Sequence, residues 1–185
     1  MAKKSEAKSN KIFLGIALLF LGLLLVVPSR QTTTVDSFAS EPVRITGLSQ
    51  EKIDDNKIPR RVLIPDIKID LKVGKARNIE GYWEVFPDKA GWGEGSGLPG
   101  NKGNQVIFAH ARQGLFLPLR ESKVDMRIYV LSSEGWYIYQ IEAIKEVYPN
   151  QTEVIEATQD ETLTLYTCSG YKDTKRLIVI AKRIN

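Results

Sequence analysis

Hydrophobic and polar residues alternate with a period of two along most of residues 60–185, and this pattern predicts β-strands rather than helices. Turn-forming residues separate the alternating runs. About eight short strands with few helices are typical of a closed or nearly closed barrel, so the sequence predicts an all-β (mainly β) fold. The predicted strands are Val62–Ile64, Ile67–Val73, Tyr82–Phe86, Gln105–Ala109, Arg127–Leu131, Trp136–Tyr148, Leu163–Thr167 and Leu177–Lys182.

Two connections between these strands have distinct compositions. Asp88–Gly103 contains the run GWGEGSGLPGNKG and is predicted to be a long connection without a helix. Asn150 followed by Glu153 resembles a capping box, which predicts a short helix that ends near Thr158.

The N-terminal part of the chain has a different pattern, a continuous apolar run over Ile12–Val27. The uncharged stretch Ile12–Ser29 would form a helix about 27 Å long, which matches the hydrocarbon core of a bilayer. We expect a transmembrane anchor at 12–29, with a basic cytoplasmic tail at 1–11. A cleaved signal peptide is the alternative, but the small-residue site Ser37-Phe38-Ala39 lies about a dozen residues past the apolar run, which is too far for ordinary cleavage.

Residues 30–59 are polar and show no sustained periodicity, which is typical of a tether between an anchor and a folded domain. The globular domain is therefore predicted over 60–185. Its composition supports a folded core, because the chain is 43% hydrophobic and 26% charged. Residues 1–11 supply three of the four net positive charges, so the domain lacks the basic face of a nucleic-acid-binding protein.

The single cysteine, Cys168, closes the predicted strand TLYTC. A lone cysteine is more often an inert buried side chain than a nucleophile. The turn-rich stretch SGYKDTK follows it at once, which predicts a position near solvent at a strand end. A solitary thiol in an exported domain is also vulnerable to oxidation, and this favours a chemical role.

His110, the single histidine, ends the strand QVIFAH, and Arg176 opens the last strand, eight residues after Cys168. Taken alone, such a histidine is as often structural as catalytic, and such an arginine is usually solvated. Together with a thiol, the histidine and the arginine supply the groups that a cysteine-dependent attack on an amide requires. Imidazole can take the proton of a thiol whose pKa is about 8.5, and a guanidinium can stabilise the oxyanion formed when a thiolate attacks an amide. All three lie at predicted strand ends, so one rim of a barrel can hold them together.

The order of these residues disfavours several other cysteine enzymes. Papain-like and cell-wall amidase families place the cysteine before the histidine, typically at the start of a helix. Here His110 precedes Cys168 by 58 residues, and the cysteine closes a strand. The compact Ser-His-Gly-Cys cluster of L,D-transpeptidases is absent.

The globular domain resembles the sortase family. TLYTCSGYKDTKRLIVIAKR is similar to the family's Thr-Cys-to-Arg signature, and NKGNQVIFAH followed by GLFLPLR is similar to its histidine strand and the segment after it. RRVLIPDIKIDLKV resembles the family's first strands. Two positions differ: Ala109 replaces a common glycine, and Lys123-Val124-Asp125 replaces a common Gly-Asp pair.

This resemblance implies an eight-stranded sortase barrel and a cysteine transpeptidase. It implies that Cys168 attacks an LPxTG-like sorting signal to form a thioester, and that His110 protonates the departing amine and deprotonates the incoming one. Arg176 would stabilise the oxyanion, and Thr167 matches a threonine that helps to orient the substrate. The implied partners are secreted proteins carrying the sorting signal, and an amine acceptor of the cell wall or of a pilin.

In sortases the loop before the cysteine strand largely sets specificity, and here it spans 149–161. Val154 and Ile155 are candidates to line a groove for the Leu-Pro of the signal, or else they pack the short helix onto the barrel. The loop carboxylates resemble the calcium site of some sortases, but a solvated acidic loop is the simpler interpretation, and we expect no metal and no cofactor. These carboxylates are Glu153, Glu156, Asp160 and Glu161.

Three functional hypotheses follow. The first is a single-pass membrane transpeptidase with a cytoplasmic N-terminus and an extracellular catalytic domain. The second is a catalytically silent barrel that binds peptides or wall polymer. The third is a sorting-signal protease that uses water as the acceptor.

Overall fold

The structure is a computed structural model that describes Ile45 and residues 53–184. The predicted cytoplasmic tail, the anchor at 12–29 and most of the tether at 30–59 lie outside these residues. Within the described part of the chain, no helix has both the length and the apolar character needed to cross a membrane.

Eight strands of the described domain close into a barrel in the order β1-β2-β5-β6-β9-β10-β8-β7, and β7 pairs back onto β1. Two further strands, β3 and β4, form a separate two-stranded sheet. Short 3-10 segments occur at Pro65–Ile67, Leu117–Glu121, Thr152–Ile155 and Tyr171–Asp173. The strands are β1 (Arg61–Ile64), β2 (Ile69–Ala76), β3 (Asn78–Ile79), β4 (Tyr82–Trp83), β5 (Ala90–Gly93), β6 (Gly103–Phe108), β7 (Arg127–Leu131), β8 (Trp136–Val147), β9 (Glu161–Ser169) and β10 (Lys175–Arg183).

The predicted mainly β barrel is confirmed, but one of its strands is not where the alternation placed it. The predicted strand Tyr82–Phe86 is reduced to the two residues of β4, which lie outside the barrel. The missing barrel strand is β5, inside the predicted loop Asp88–Gly103. All four residues of β5 are buried, so the strand has no alternation to detect.

The predicted helix between Asn150 and Thr158 is a single 3-10 turn, Thr152–Ile155. Its N-cap residue, Gln151, makes no side-chain hydrogen bond to the turn. Without that bond the first backbone N–H groups lack the partner that a capping box supplies. The segment therefore forms a single turn and not a helix of several turns.

Alternate residues of β9 face opposite sides of the barrel wall, and both sides are buried. Leu163 and Leu165 belong to the core inside the barrel. Tyr166 packs against a second apolar cluster on the outside of the wall. Cys168 shares the face of Tyr166 because side chains two residues apart along a strand point the same way. The thiol therefore lies on the outer surface of the wall, under partial cover. The outer cluster contains Ala76, Trp83, Val106, Phe108 and Ile155.

Candidate active site

β9 lies between β6, which runs parallel to it, and β10, which runs antiparallel. The β9–β10 register places Arg176 directly opposite Cys168. Residues directly opposite each other in an antiparallel pair share a face, with Cβ atoms about 4.5–5.5 Å apart. The guanidinium and the thiol are therefore neighbours across two adjacent strands.

His110 lies on the other side of Cys168. The last β6–β9 pair is Phe108 opposite Tyr166, and His110 follows two residues later. Two hydrogen bonds continue the alignment beyond the strand: the Ala109 N–H donates to the Tyr166 carbonyl at 3.4 Å, and the Thr167 hydroxyl donates to the Ala109 carbonyl at 2.7 Å. This register brings His110 beside Cys168, so the imidazole, thiol and guanidinium form one row across β6, β9 and β10.

A second row, made of apolar residues, lies on the same face two residues away along each strand from the row of imidazole, thiol and guanidinium. Phe108, Tyr166 and Ile178 occupy corresponding positions on the three strands. The Phe108 ring stacks on Tyr166 with centroids 5.3 Å apart, and on Trp83 at 5.6 Å. Phe108 is the last residue of β6, so this stacking helps to fix the direction in which the chain continues to His110.

Burial of the row differs from the sequence expectation. The sequence predicts Cys168 near solvent, yet it is only 8% exposed, and β9 continues one residue further, to Ser169. Arg176 is 2% exposed rather than solvated. Its Nη1 donates to the carbonyls of Asp173 at 2.8 Å and Lys175 at 2.9 Å. The guanidinium is thus held in place before any substrate arrives, which is the arrangement that stabilises a developing oxyanion most effectively.

The pKa of His110 is lowered from its ordinary value, mainly by burial and also by the positive charge of Arg112. The carboxylate of Asp173 acts in the opposite direction. The net direction favours neutral imidazole at neutral pH. A neutral imidazole beside a thiol is able to accept its proton.

Thr167 has a different placement from the one the resemblance implies. It faces the inside of the barrel and is 1% exposed, so it has no access to the outer groove. Its hydroxyl instead donates to the Ala109 carbonyl, one residue before His110. Thr167 therefore joins β9 to the strand that carries the imidazole.

Val154 and Ile155 both pack onto the outer face of the barrel. Ile155 is buried within the outer cluster, so it attaches the 3-10 turn to the wall, whereas Val154 is half-buried at the edge of that cluster. Val154 is therefore the better placed of the two to meet a ligand.

Asn104 was missed by the sequence analysis, although it holds the loop that carries these two residues. Its Nδ2 donates to the carbonyls of Val154 at 3.1 Å and Glu156 at 3.0 Å. Its Oδ1 accepts a hydrogen bond of 2.7 Å from the Thr164 hydroxyl. The sequence does contain a signal for Asn104: the strand pattern places this polar amide on the same face as the apolar side chains of Val106 and Phe108.

The acidic loop is only partly solvated. Glu161 opens β9 and accepts hydrogen bonds from the Tyr139 hydroxyl at 2.8 Å and the Gly100 N–H at 2.7 Å. It also pairs with Arg183 at 3.2 Å. Among the described residues, no group of three or more histidine, cysteine or acidic side chains is arranged to hold a metal ion.

Comparison with known proteins agrees with this fold. The family model for the sortase domain matches residues 62–184. Sortase A of Bacillus anthracis is 25% identical over 157 residues, which cover 82% of this chain and 71% of that protein. Sortase A of Streptococcus agalactiae serotype III is 32% identical over 129 residues, which cover 65% of this chain and 51% of that protein. A crystal structure of Streptococcus agalactiae sortase C1 has a TM-score of 0.60 at 30% identity, covering 71% of this chain and 69% of that one.

The barrel and its rim define a cysteine transpeptidase of the cell-wall sorting type. The family match spans most of the chain, and the chain belongs to the sortase family. It spans about half the length of the streptococcal sortase A and about seven tenths of the Bacillus protein.

Proposed function

We propose that Cys168 is the nucleophile of this transpeptidase, that His110 is its general acid and base, and that Arg176 stabilises the oxyanion. One observation carries the proposal: the three side chains occupy a single row across three adjacent strands at one rim. No other cysteine or histidine occurs in the sequence, so the assignments of Cys168 and His110 have no competitor of the same residue type within the chain.

All three side chains of the row take part in the first half-reaction. His110 accepts the thiol proton, and the Cys168 thiolate attacks the carbonyl carbon of the scissile peptide bond. Arg176 donates hydrogen bonds to the resulting oxyanion. When the intermediate collapses, the carbon–nitrogen bond breaks and His110 returns its proton to the departing amine. The product is a thioester on Cys168.

The second half-reaction reverses these roles. An incoming amine attacks the thioester carbonyl carbon while His110 accepts its proton. The carbon–sulfur bond then breaks, and His110 gives its proton to the released Cys168 sulfur. A new amide joins the sorted protein to its acceptor, and the enzyme returns to its starting protonation state.

The proposed substrate is a secreted protein that carries an LPxTG-like signal, and the proposed acceptor is an amine of the cell wall or of a pilin. Val154, which is half-buried at the edge of the outer cluster, supports a signal that contains the apolar residues Leu and Pro. We also propose that residues 12–29 anchor the enzyme in the membrane with its barrel outside. The supporting feature is the uncharged stretch preceded by a basic flank.

The test is to incubate the full chain in detergent with LPxTG-type peptides and a glycine-based amine, followed by intact mass spectrometry. We expect a mass increase equal to the N-terminal peptide fragment, followed by an amine-dependent conjugate. Cys168→Ala removes the one thiol of the chain, so it must abolish the adduct. His110→Ala and Arg176→Ala should lower turnover by at least about 100-fold.

The same experiment separates the alternatives. A sorting-signal protease releases the same fragment whether or not the amine is present. A silent binding barrel forms no adduct with any peptide of the panel, although its thiol still reacts with an alkylating reagent. Near-normal turnover in the His110 or Arg176 variant would remove that residue from the mechanism.

A further inference from the structure

The outer wall of the barrel carries an apolar patch away from the catalytic row. The inward residues of β1, β7 and the first half of β8 are buried, but most outward residues at the same level are apolar as well. Where a sheet has one face toward water, that face is normally polar. Here Trp136 is 50% exposed and Ile184 is 47% exposed. The lateral patch, as we call it, consists of Leu63, Tyr129, Leu131, Trp136, Ile138 and Ile184.

The register of the strands makes the lateral patch continuous. Tyr129 on β7 lies opposite Ile138 on β8, and the Ile184 N–H donates to the Ile138 carbonyl at 2.9 Å. In the neighbouring row, Leu131 lies opposite Trp136. Residues opposite each other in an antiparallel pair have Cβ atoms about 4.5–5.5 Å apart, so these side chains form one surface.

Charged residues on the same face border the lateral patch, and more of them are positive than negative. Arg61 binds the Asp70 carboxylate at 2.6 Å, which neutralises that pair. Lys72 and Arg127 have no acidic partner within 4.0 Å among the residues that the structure describes. The border therefore attracts anions. The charged residues on these strands and at their ends are Arg61, Lys72, Arg127, Lys182, Asp70 and Asp125.

The lateral patch and the catalytic row lie at different levels of the barrel. Val147, which is opposite Arg176, lies about 30 Å further along β8 than Ile138, at the ordinary rise of a strand. β1, which adds Leu63 opposite Tyr129, is the first strand of the barrel and follows the predicted tether. A bilayer against the patch would contact the strand nearest in sequence to the proposed anchor and leave the catalytic row clear of lipid.

We propose that the lateral patch docks on the surface of a bilayer that contains anionic lipid. This inference rests on the proposed function, which places the enzyme at the membrane. Tryptophan and tyrosine favour the membrane–water interface, where their rings pack against lipid and their N–H and O–H groups reach the headgroups. The aliphatic side chains add apolar area, and the cationic border attracts the anionic headgroups.

Trp136 makes the contact measurable, because it is the exposed one of the three tryptophans. Trp83 and Trp92 are buried, and their indole N–H groups donate to backbone carbonyls. The experiment reconstitutes the full chain into vesicles of phosphatidylcholine and phosphatidylglycerol, with or without brominated acyl chains, and records tryptophan emission. We expect the brominated lipid to quench Trp136, and we expect Trp136→Phe to lose the quenched component.

Ile184→Glu and Ile79→Glu form a matched pair of variants. Each replaces a half-exposed isoleucine by a carboxylate, but Ile79 lies on the separate β3–β4 sheet. Ile184→Glu should lower the quenched fraction by at least about twofold, whereas Ile79→Glu should leave it unchanged. The double variant Lys72→Gln and Arg127→Gln should lower it in the anionic vesicles and leave it unchanged in phosphatidylcholine alone.

Trp136 emission that ignores the brominated lipid, in a chain that floats with the vesicles, would overturn the docking proposal and leave the anchor in place. Equal quenching in the Ile184 and Ile79 variants would overturn it too. So would a dimer in detergent together with an unquenched Trp136, since a second copy would then cover the patch.

Failure of the proposed function gives different results. If the anchor is absent but the patch docks, high salt releases the chain from the vesicles, because only the patch then holds it. A chain that never floats with the vesicles overturns both membrane proposals. The thioester assay reports separately on the catalytic row.

Discussion

Thr167 joins the strand that carries the thiol to the strand that carries the imidazole. Its hydroxyl lies inside the barrel and donates a 2.7 Å hydrogen bond to the Ala109 carbonyl. A buried carbonyl that loses its donor costs about 1–3 kcal/mol, because no water replaces the lost partner. The position of His110 therefore depends on a residue that faces away from it.

Thr167→Val keeps the shape of the side chain and removes the donor. We expect the free energy of unfolding to fall by about 1–3 kcal/mol, and kcat/KM to fall about tenfold as the imidazole loses its fixed position. Thr167→Ser retains the hydroxyl and should keep more of both quantities. Denaturant unfolding and peptide turnover measure these effects. A valine variant with wild-type stability would show that the hydrogen bond contributes nothing.

Single residues also show what the sequence is able to predict about the site. The identities of Cys168, His110 and Arg176 follow from their chemistry, from strand-end positions and from the family resemblance. Their burial does not follow, since it depends on how distant parts of the chain pack around the strand ends: Cys168 is 8% and Arg176 2% exposed. The role of Asn104 does not follow either, because it acts through hydrogen bonds to a segment about 50 residues away along the chain.

At the scale of elements, the loop between β8 and β9 is attached to the barrel by the hydrogen bonds of one side chain and by apolar contacts. Asn104, on β6, donates to two backbone carbonyls of the 3-10 turn and its end. Ile155 adds the apolar contact of the same turn. The loop therefore has a defined position over the outer face beside the proposed substrate groove.

Asn104→Ala removes both hydrogen bonds and leaves the Thr164 hydroxyl without its acceptor. We expect faster amide hydrogen exchange over residues 152–158, because local opening becomes easier. KM for the signal peptide should rise several-fold with a smaller change in kcat, as for lost ground-state binding. Asn101→Ala is the matched control, because that amide contacts Lys57 instead. Unchanged exchange over the loop would contradict the assignment.

The strands differ in how well the pattern predicted them, and the cause is their burial. β7 has one face toward the core and a less buried face, and its predicted bounds agree with the structure. β5 is buried on both faces and includes two glycines, so no pattern identifies it. β4 pairs with β3 outside the barrel, and the Glu84 N–H continues that pairing by donating to the Arg77 carbonyl. Alternation with a period of two identifies strands that have one solvent-exposed face. In a closed barrel whose outer surface is also covered, some strands are buried on both faces and show no alternation.

At the scale of the whole molecule, the closed barrel leaves no sheet edge between its strands, so its stability reflects the domain as a unit. Its pH dependence is set by groups whose pKa differs between the folded and unfolded states. On the acid side, burial lowers the pKa of His110, and the Arg61 hydrogen bond lowers the pKa of the Asp70 carboxyl. The His110 contribution is present above its unfolded pKa of about 6.5 and is lost below it, and the Asp70 contribution is lost below about 4.

On the alkaline side the pKa values of the Tyr137, Tyr139 and Tyr166 phenols are all raised, and Tyr139 is the one that is fully buried and donates to Glu161. Burial, and then the hydrogen bond to the Glu161 carboxylate, raise the pKa of this phenol well above its ordinary value. The folded protein therefore holds the phenol proton more tightly than the unfolded chain does. Stability from this group is complete below the unfolded pKa of about 10 and is lost as the pH rises above it.

We therefore expect the free energy of unfolding to be highest between about pH 7 and pH 10 and to decline on both sides. Tyr139→Phe should be less stable at neutral pH, because Glu161 loses a hydrogen-bond donor, yet it should decline less steeply above pH 10. Denaturant unfolding at pH 5, 7.5, 9.5 and about 11 measures both curves. Parallel alkaline declines in the two proteins would show that Tyr139 is not the group responsible. A steeper decline in the unmodified protein would link its alkaline stability limit to one buried phenol, at the end of the barrel opposite Cys168.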